Sequence, residues 1–456
     1  ERALASAMQG LVAEVAERHA LGALEARREL GDRETIALAT AAYADTVSFF
    51  GTDQDRLLEI MVPAWDEFSD LEATRAGVAL MIQMTGAYVT RDDPTAVAWS
   101  ERLLPVAEHL DLLPETARAL GRLAGSLYRL DRQRESMILL RGAHELAVAN
   151  GLADVDRNTR TSLTFYEQFS DPASGLAMAR EGLEIAGRRG SMSYAFMMVG
   201  NAASNAIRTG EWSWASALLA EWLEREITGG FYLELYVDRA VLTALVGGDP
   251  EPDLSAAEAL LPTMEGDPQY ASYIRWGRAW QAFATSRLSE ARRMAESATE
   301  MTSYFLPISM PIAARAALWD RDPDGARHAL ARLDASVVRG QAFGLDRLTL
   351  RAGLAALEGR RAEAVAGYRD ALRGWQKLGC AFDEAMATVD MASLLAPTDQ
   401  EMAEAAASIE TARETLSRLG ALPLLARLEA ARTRPAPARS APVIDVAAAS
   451  SSEVPA

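Results

Sequence analysis

Apolar positions recur at three- and four-residue spacing along most of the chain, and short polar turns interrupt them at regular intervals. In LEGRRAEAVAGYRDAL, residues 357–372, Gly359 marks a turn, and Ala364, Tyr368 and Ala371 follow at plus five, nine and twelve. Those offsets put the three side chains on one helix face. The same frame recurs after Asp131 (Ser136, Leu140, Ala143), Ser170 (Gly175, Ala179, Gly182), Gly210 (Ala215, Leu219, Trp222) and Ser286 (Ala291, Ala295, Ala298). It recurs again after Arg321 (Ala326, Leu330, Leu333) and Arg91 (Ala96, Ser100, Leu103), with weaker copies at Gly51, Gly248 and Pro397. The markers lie 35 to 40 residues apart.

The segment ahead of each marker is equally regular. Four residues before it stand Val47, Ala87, Leu127, Tyr166, Ala206, Ala244, Ala282, Ala317 and Ala355. Seven before it stand Ala44, Met84, Ala124, Leu163, Ala203, Val241, Ala279, Ala314 and Ala352. Most are small, as needed where two helices of a hairpin approach closely. Alternating β-branched runs, the mark of strands, are absent. Each unit is thus a helix–turn–helix whose apolar face one hairpin cannot cover alone, so neighbours must stack. The pattern predicts an all-α solenoid over residues 1–432. Residues 433–456, rich in Pro, Ala and Ser and poor in core formers, should form a disordered tail.

The stretch G-x-x-x-x-A-x-x-x-Y-x-x-A at 359–371 resembles the second helix of a tetratricopeptide repeat. The period here is longer than the 34 residues of that repeat, and the proline that usually closes each repeat is missing. AVAGYRDALRGWQKLGCAFDEAMATVDMASLL and ARETLSRLGALPLLARLEAAR are similar to the helical sensor regions of large bacterial signalling proteins. In that family a STAND-type NTPase precedes the repeats, and a cyclase or a DNA-binding helix-turn-helix lies at one end, as in LuxR- and MalT-like regulators. The resemblance implies a right-handed superhelical solenoid of about ten tetratricopeptide-like repeats. It also implies a non-enzymatic scaffold or sensor region of a cytoplasmic signalling protein that binds a ligand or protein. An alternative is the regulatory region of a transcriptional activator whose DNA-binding domain lies outside this segment. An α-helical hydrolase is a more remote alternative, because the many carboxylates fall at helix-surface positions where solvation explains them.

Composition narrows the chemistry. The 456 residues carry a net charge of −18 and are 49% hydrophobic. An acidic surface repels nucleic acid and anionic membranes, so neither is an expected direct partner. One cysteine, Cys380, permits no internal disulfide and suits a reducing compartment. The start, ERALASAMQG, has no secretion-signal block and no initiating Met, as expected of a piece of a longer chain. The sole lysine, Lys377, lies in WQKLG, which cannot be a phosphate-binding Walker loop. His19, His109, His144 and His328 are scattered without metal-ligand spacing. Catalytic residues, metal sites and cofactors are therefore not expected.

One stretch, QYASYIRWGRAWQAF at 269–283, concentrates aromatics. Tyr273, Trp276, Trp280 and Phe283 precede Ser286 by thirteen, ten, six and three residues, so they share one helix face. In a tetratricopeptide-like array the first helix of each hairpin lines the concave surface. The aromatics then either fill the seam between repeats, as such stripes usually do, or form a cradle in the groove. Because Ala279 and Ala282 occupy the packed side, the aromatics are expected to point toward the groove. Arg118, Arg160, Arg208 and Arg315 lie at or near equivalent positions, with Trp319 close to its own turn. Asn201 and Asn205, one turn apart, can bond a peptide backbone. The expected partner is a protein or peptide in the concave groove, or a small ligand with an apolar body and an anionic group.

Overall fold

The computed structural model describes residues 13–50, 54–89, 93–189, 192–225, 232–264, 268–300, 302, 305–395 and 399–433. Twenty-two α-helices and two short 3-10 turns occupy them, and no strand occurs among the described residues. The helices are α1 (Ala13–Leu30), α2 (Arg33–Phe50), α3 (Gln54–Phe68), α4 (Arg75–Val89), α5 (Thr95–His109) and α6 (Leu113–Arg129). There follow α7 (Gln133–Ala149), α8 (Ala153–Ser170), α9 (Pro172–Arg189), α10 (Met192–Thr209), α11 (Trp212–Leu223) and α12 (Tyr232–Leu245). Next come α13 (Glu251–Leu260), α14 (Pro268–Ala284), α15 (Leu288–Ser297), α16 (Leu306–Trp319), α17 (Pro323–Ala335) and α18 (Gln341–Leu357). The series ends with α19 (Arg361–Leu378), α20 (Ala381–Leu394), α21 (Asp399–Leu419) and α22 (Leu422–Thr433). The last helix passes the expected boundary by one residue; the proposed tail from 434 onward lies outside the described residues. None of the described helices is long and apolar enough to cross a membrane.

The markers separate each even-numbered helix from the odd-numbered one that follows it. Asp131, Gly210, Ser286, Arg321 and Gly359 all have left-handed backbone, with φ of 60°, 81°, 58°, 60° and 76°. That conformation is what stops one helix and starts the next in so few residues. Two markers differ. The left-handed residue near Gly248 is Gly247, and Ser170 is still helical, with the break at Asp171. Gly51, Arg91 and Pro397 lie outside the described residues.

Burial follows the sequence frame. Every residue named at plus five, nine and twelve is buried. So is every one at minus seven and minus four except Tyr166, which is half-buried and stacks on Tyr128 with ring centroids 3.8 Å apart. Alanine supplies much of this core, and it lets the helices of a hairpin approach closely without losing side-chain entropy.

Each helix packs on its successor, and each even-numbered helix also packs on the next even-numbered one. The odd-numbered helices make their substantial contacts only with sequence neighbours. A second set of contacts skips much further: α8 meets α18, α10 meets α20, and α12 meets α22. The inner layer therefore returns on itself after ten helices. One apolar core accompanies this return, running from Phe169 on α8 to Leu428 on α22, while a separate core joins α1 through α4.

The non-glycine turns suggest a test. Ser286 holds a left-handed conformation that disfavours a side chain, and no hydrogen bond through its side chain compensates among the described contacts. Ser286→Gly should raise unfolding stability by about 0.5–1 kcal/mol, after the extra unfolded-state freedom of glycine is subtracted. Urea denaturation would measure it; a loss of stability would show that the turn is held by more than backbone preference.

Candidate functional site

Seven even-numbered helices, α8 to α20, converge on one cavity that opens to solvent. Phe165, Gln168 and Phe169 reach it from α8, Gly200, Asn201, Ser204, Ile207 and Arg208 from α10, and Glu234 from α12. From α14 come Gln269, Tyr273, Trp276 and Trp280. The start of α16 adds Phe305, Pro307, Ile308, Pro311, Ile312 and Arg315, and α18 and α20 add Asp346, Phe382, Asp383 and Met386. A second hollow lies among α19, α20 and α21 and is edged by Arg361 and Arg369. It has no aromatic lining.

The aromatic face divides. Trp276 is buried at 8% exposure, and Tyr273 and Trp280 are half-buried; all three line the cavity. Phe283 does not. It is buried against Trp319, centroids 4.4 Å apart, between α14 and α16. Three of the four rings therefore line the cavity, and the fourth packs between helices. Tyr273 packs edge-on against both Trp276 (5.5 Å) and Phe305 (5.3 Å). The indole N–H groups of Trp276 and Trp280 are shielded from water and have no hydrogen-bond partner. Buried donors of this kind are rarely left unmatched.

Two of the four arginines reach the cavity, and both are engaged. Arg208 donates from Nε to Asp383 (2.7 Å), from Nη2 to Asp346 (2.9 Å) and from Nη1 to the Gln168 carbonyl (2.9 Å). Its guanidinium carbon also lies 5.2 Å from the Trp375 ring centre. Arg315 donates from Nε to Asp390 at 2.8 Å, and Trp319 donates its indole N–H to the other oxygen of Asp390 at 2.6 Å. Burial works against the Arg208 charge, but Asp346 and Asp383 more than offset this, so its pKa is raised. Burial lifts the Asp383 carboxyl to about 6, although Arg208 pulls it down. Burial likewise raises Asp390 against the pull of Arg315. The arginines expected to grip an anion are therefore neutralised by this chain's own aspartates.

The other expected residues are placed elsewhere or used internally. Asn201 edges the cavity, but its Nδ2 bonds the Thr161 carbonyl at 3.1 Å. Asn205 is buried, with its Nδ2 donating to the carbonyls of Thr164 (3.0 Å) and Asn201 (2.8 Å). The pair ties α10 to α8 rather than facing a peptide. Arg160 is buried outside the cavity, 3.1 Å from Asp156 and 2.7 Å from Glu181. Arg118, half-buried on α6, does not line the cavity either.

The aspartates were missed by the sequence argument, though one left a signal. Asp390 lies seven residues before Pro397, in a column otherwise filled by Ala, Met, Leu and Val. A charge at a close-packing position implies a buried partner, here Arg315. Asp346 and Asp383 left no such mark. Among the described residues no group of His, Cys, Asp and Glu could hold a metal ion. No family model matches the chain, and no curated protein matches it.

Proposed function

We propose that this chain is a non-enzymatic small-ligand-binding module: a right-handed, tetratricopeptide-like solenoid of about ten repeats. Its inner helices complete a turn after five hairpins and close the concave groove into a cavity. The observation that carries this is the convergence of seven helices on a space lined by aromatic rings and two unmatched indole donors. A cavity with that lining suits a compact organic molecule. Closure by α8 on α18 and α10 on α20 favours such a ligand over an extended peptide, which needs an open groove. The indoles call for an acceptor atom on the ligand. The role that fits is a sensor or scaffold segment of a cytoplasmic signalling or regulatory protein, in which occupancy of the cavity stabilises one shape of the array.

A thermal-shift and tryptophan-fluorescence screen of small metabolites and short peptides against the purified chain tests this. The expected result is a compound binding one to one that shifts indole emission and raises the melting temperature. Trp280→Leu should weaken that compound at least tenfold. If only peptides bind, or if Trp280→Leu leaves affinity unchanged, the small-ligand proposal fails.

A further inference from the structure

Of the four arginines that the sequence places at groove positions, Arg160, Arg208 and Arg315 are paired with carboxylates of this chain. Arg118 is not, and neither is Arg122, one turn further along α6. Neither side chain makes a hydrogen bond or an ion pair with any described residue, yet both are half-buried. The other described arginines without such a bond, Arg18, Arg27, Arg134 and Arg293, are exposed and left to water. Arg118 and Arg122 stand thirteen and nine residues before Asp131. Those are the offsets at which Tyr273 and Asn201, counted from Ser286 and Gly210, reach the cavity. The pair therefore occupies the inner-layer register on α6. The Arg122 guanidinium lies against α4, where a Cβ on buried Gly86 would meet its Cζ at 3.4 Å. Asp45 on α2 acts on Arg122 without forming an ion pair with it, and accepts instead from Gln83 Nε2 at 3.0 Å.

Two like charges one turn apart on a helix repel, and a half-buried cation without a counter-ion is costly to keep. Burial lowers the pKa of Arg122; Asp45 opposes the fall and Arg118 adds to it. An arginine does not escape by losing its proton, so the arrangement is relieved by an anion from outside. No distant helix closes over α6 among the described residues: its substantial contacts are with α4, α5, α7 and α8. We propose that Arg118 and Arg122 form a binding site for a phosphate monoester, outside the cavity and independent of it. Each guanidinium presents a fork that a pair of oxygens fills. One carboxylate, with two oxygens and one charge, satisfies one fork. A phosphate monoester brings three acceptor oxygens and close to two charges at neutral pH, which matches both.

Three small anions without an aromatic body separate the possibilities: glycerol 2-phosphate, methyl sulfate and acetate, titrated calorimetrically into the whole chain at pH 7.5. Glycerol 2-phosphate should bind at least tenfold more tightly than either monoanion. Its advantage should shrink at pH 5, where the phosphate has taken up its second proton and both arginines keep their charge. Arg122→Gln should weaken glycerol 2-phosphate at least tenfold. Arg118→Gln should do the same, and it guards against a packing defect beside Gly86 in the first variant. Trp280→Leu, a change in the cavity, should leave this affinity unaltered, so failure here is separable from failure of the small-ligand reading. A phosphoserine flanked by two alanines on each side identifies the source of the phosphate. If it binds at least tenfold more tightly than glycerol 2-phosphate, the site reads a phosphorylated segment; equal affinity assigns it to a small ester. If methyl sulfate or acetate binds as tightly as the phosphate, or if its affinity survives in both folded arginine variants, the assignment is overturned. Absence of phosphate binding to the folded wild type at millimolar concentration overturns it as well.

Discussion

Arg208→Met should destabilise the protein by about 3–5 kcal/mol, the cost of removing one partner from a buried ion cluster and leaving the other charges uncompensated. Arg208 joins α10 to Asp346 on α18 and Asp383 on α20, and it also caps the Gln168 carbonyl at the end of α8. Four inner helices thus meet at one guanidinium. Its removal leaves two largely buried aspartates facing each other, with side-chain exposures of 11% and 15%. Asp383, already raised to about 6 with the arginine in place, would lose its main counter-charge. Urea unfolding followed by circular dichroism would give the number. Adding Asp346→Asn and Asp383→Asn to the methionine variant should restore much of the loss, because the unpaired carboxylates are the source of the cost. A loss below about 1 kcal/mol would mean that the junction is held by packing alone.

Phe283 and Trp280, three residues apart on α14, should respond to truncation in opposite ways. Phe283→Ala empties a fully enclosed site against Trp319 and should cost about 3–5 kcal/mol. Trp280→Ala removes a half-buried ring whose far side meets the cavity. It should cost less than Phe283→Ala, because apolar stabilisation scales with the area removed from water, while ligand affinity falls sharply. The measurement is a pair of denaturation curves beside a pair of binding isotherms. Equal stability losses with equal affinity would show that the whole aromatic face is inter-helix packing.

The helices and their turns were legible in the sequence because they rest on backbone and close packing. Left-handed turns at Gly210 and Gly359 and alanines at 279, 282, 314 and 317 leave residue types that only a few side chains can replace. The aromatic stripe was legible as a helical spacing, and Tyr273, Trp276 and Trp280 of that stripe line the cavity. The charge balance of the cavity was not legible. Arg208 meets Asp383 across 175 residues, and Arg315 meets Asp390 across 75. Such pairings join helices far apart in the chain, which local spacing does not encode. An arginine at a groove position therefore looked like an anion site when its counter-ions came from another layer of the same chain. Arg160 misled in the same way on a shorter scale, through Asp156 one turn away and Glu181 on the next helix.

The return of the inner layer after ten helices also bears on how the molecule comes apart. In an open repeat array each unit leans only on its neighbours, so segments can exchange and unfold piecemeal. From α8 to α22 the contacts of α8 with α18, α10 with α20 and α12 with α22 bind early and late segments into one block. Opening any part of that block breaks partners on both sides, which makes its amides exchange through a single global event. Helices α1 to α5 have no such second layer; their substantial contacts reach no further than α6. They form an arm whose amide protons should be lost to solvent deuterium first, while the block that encloses the cavity keeps its own.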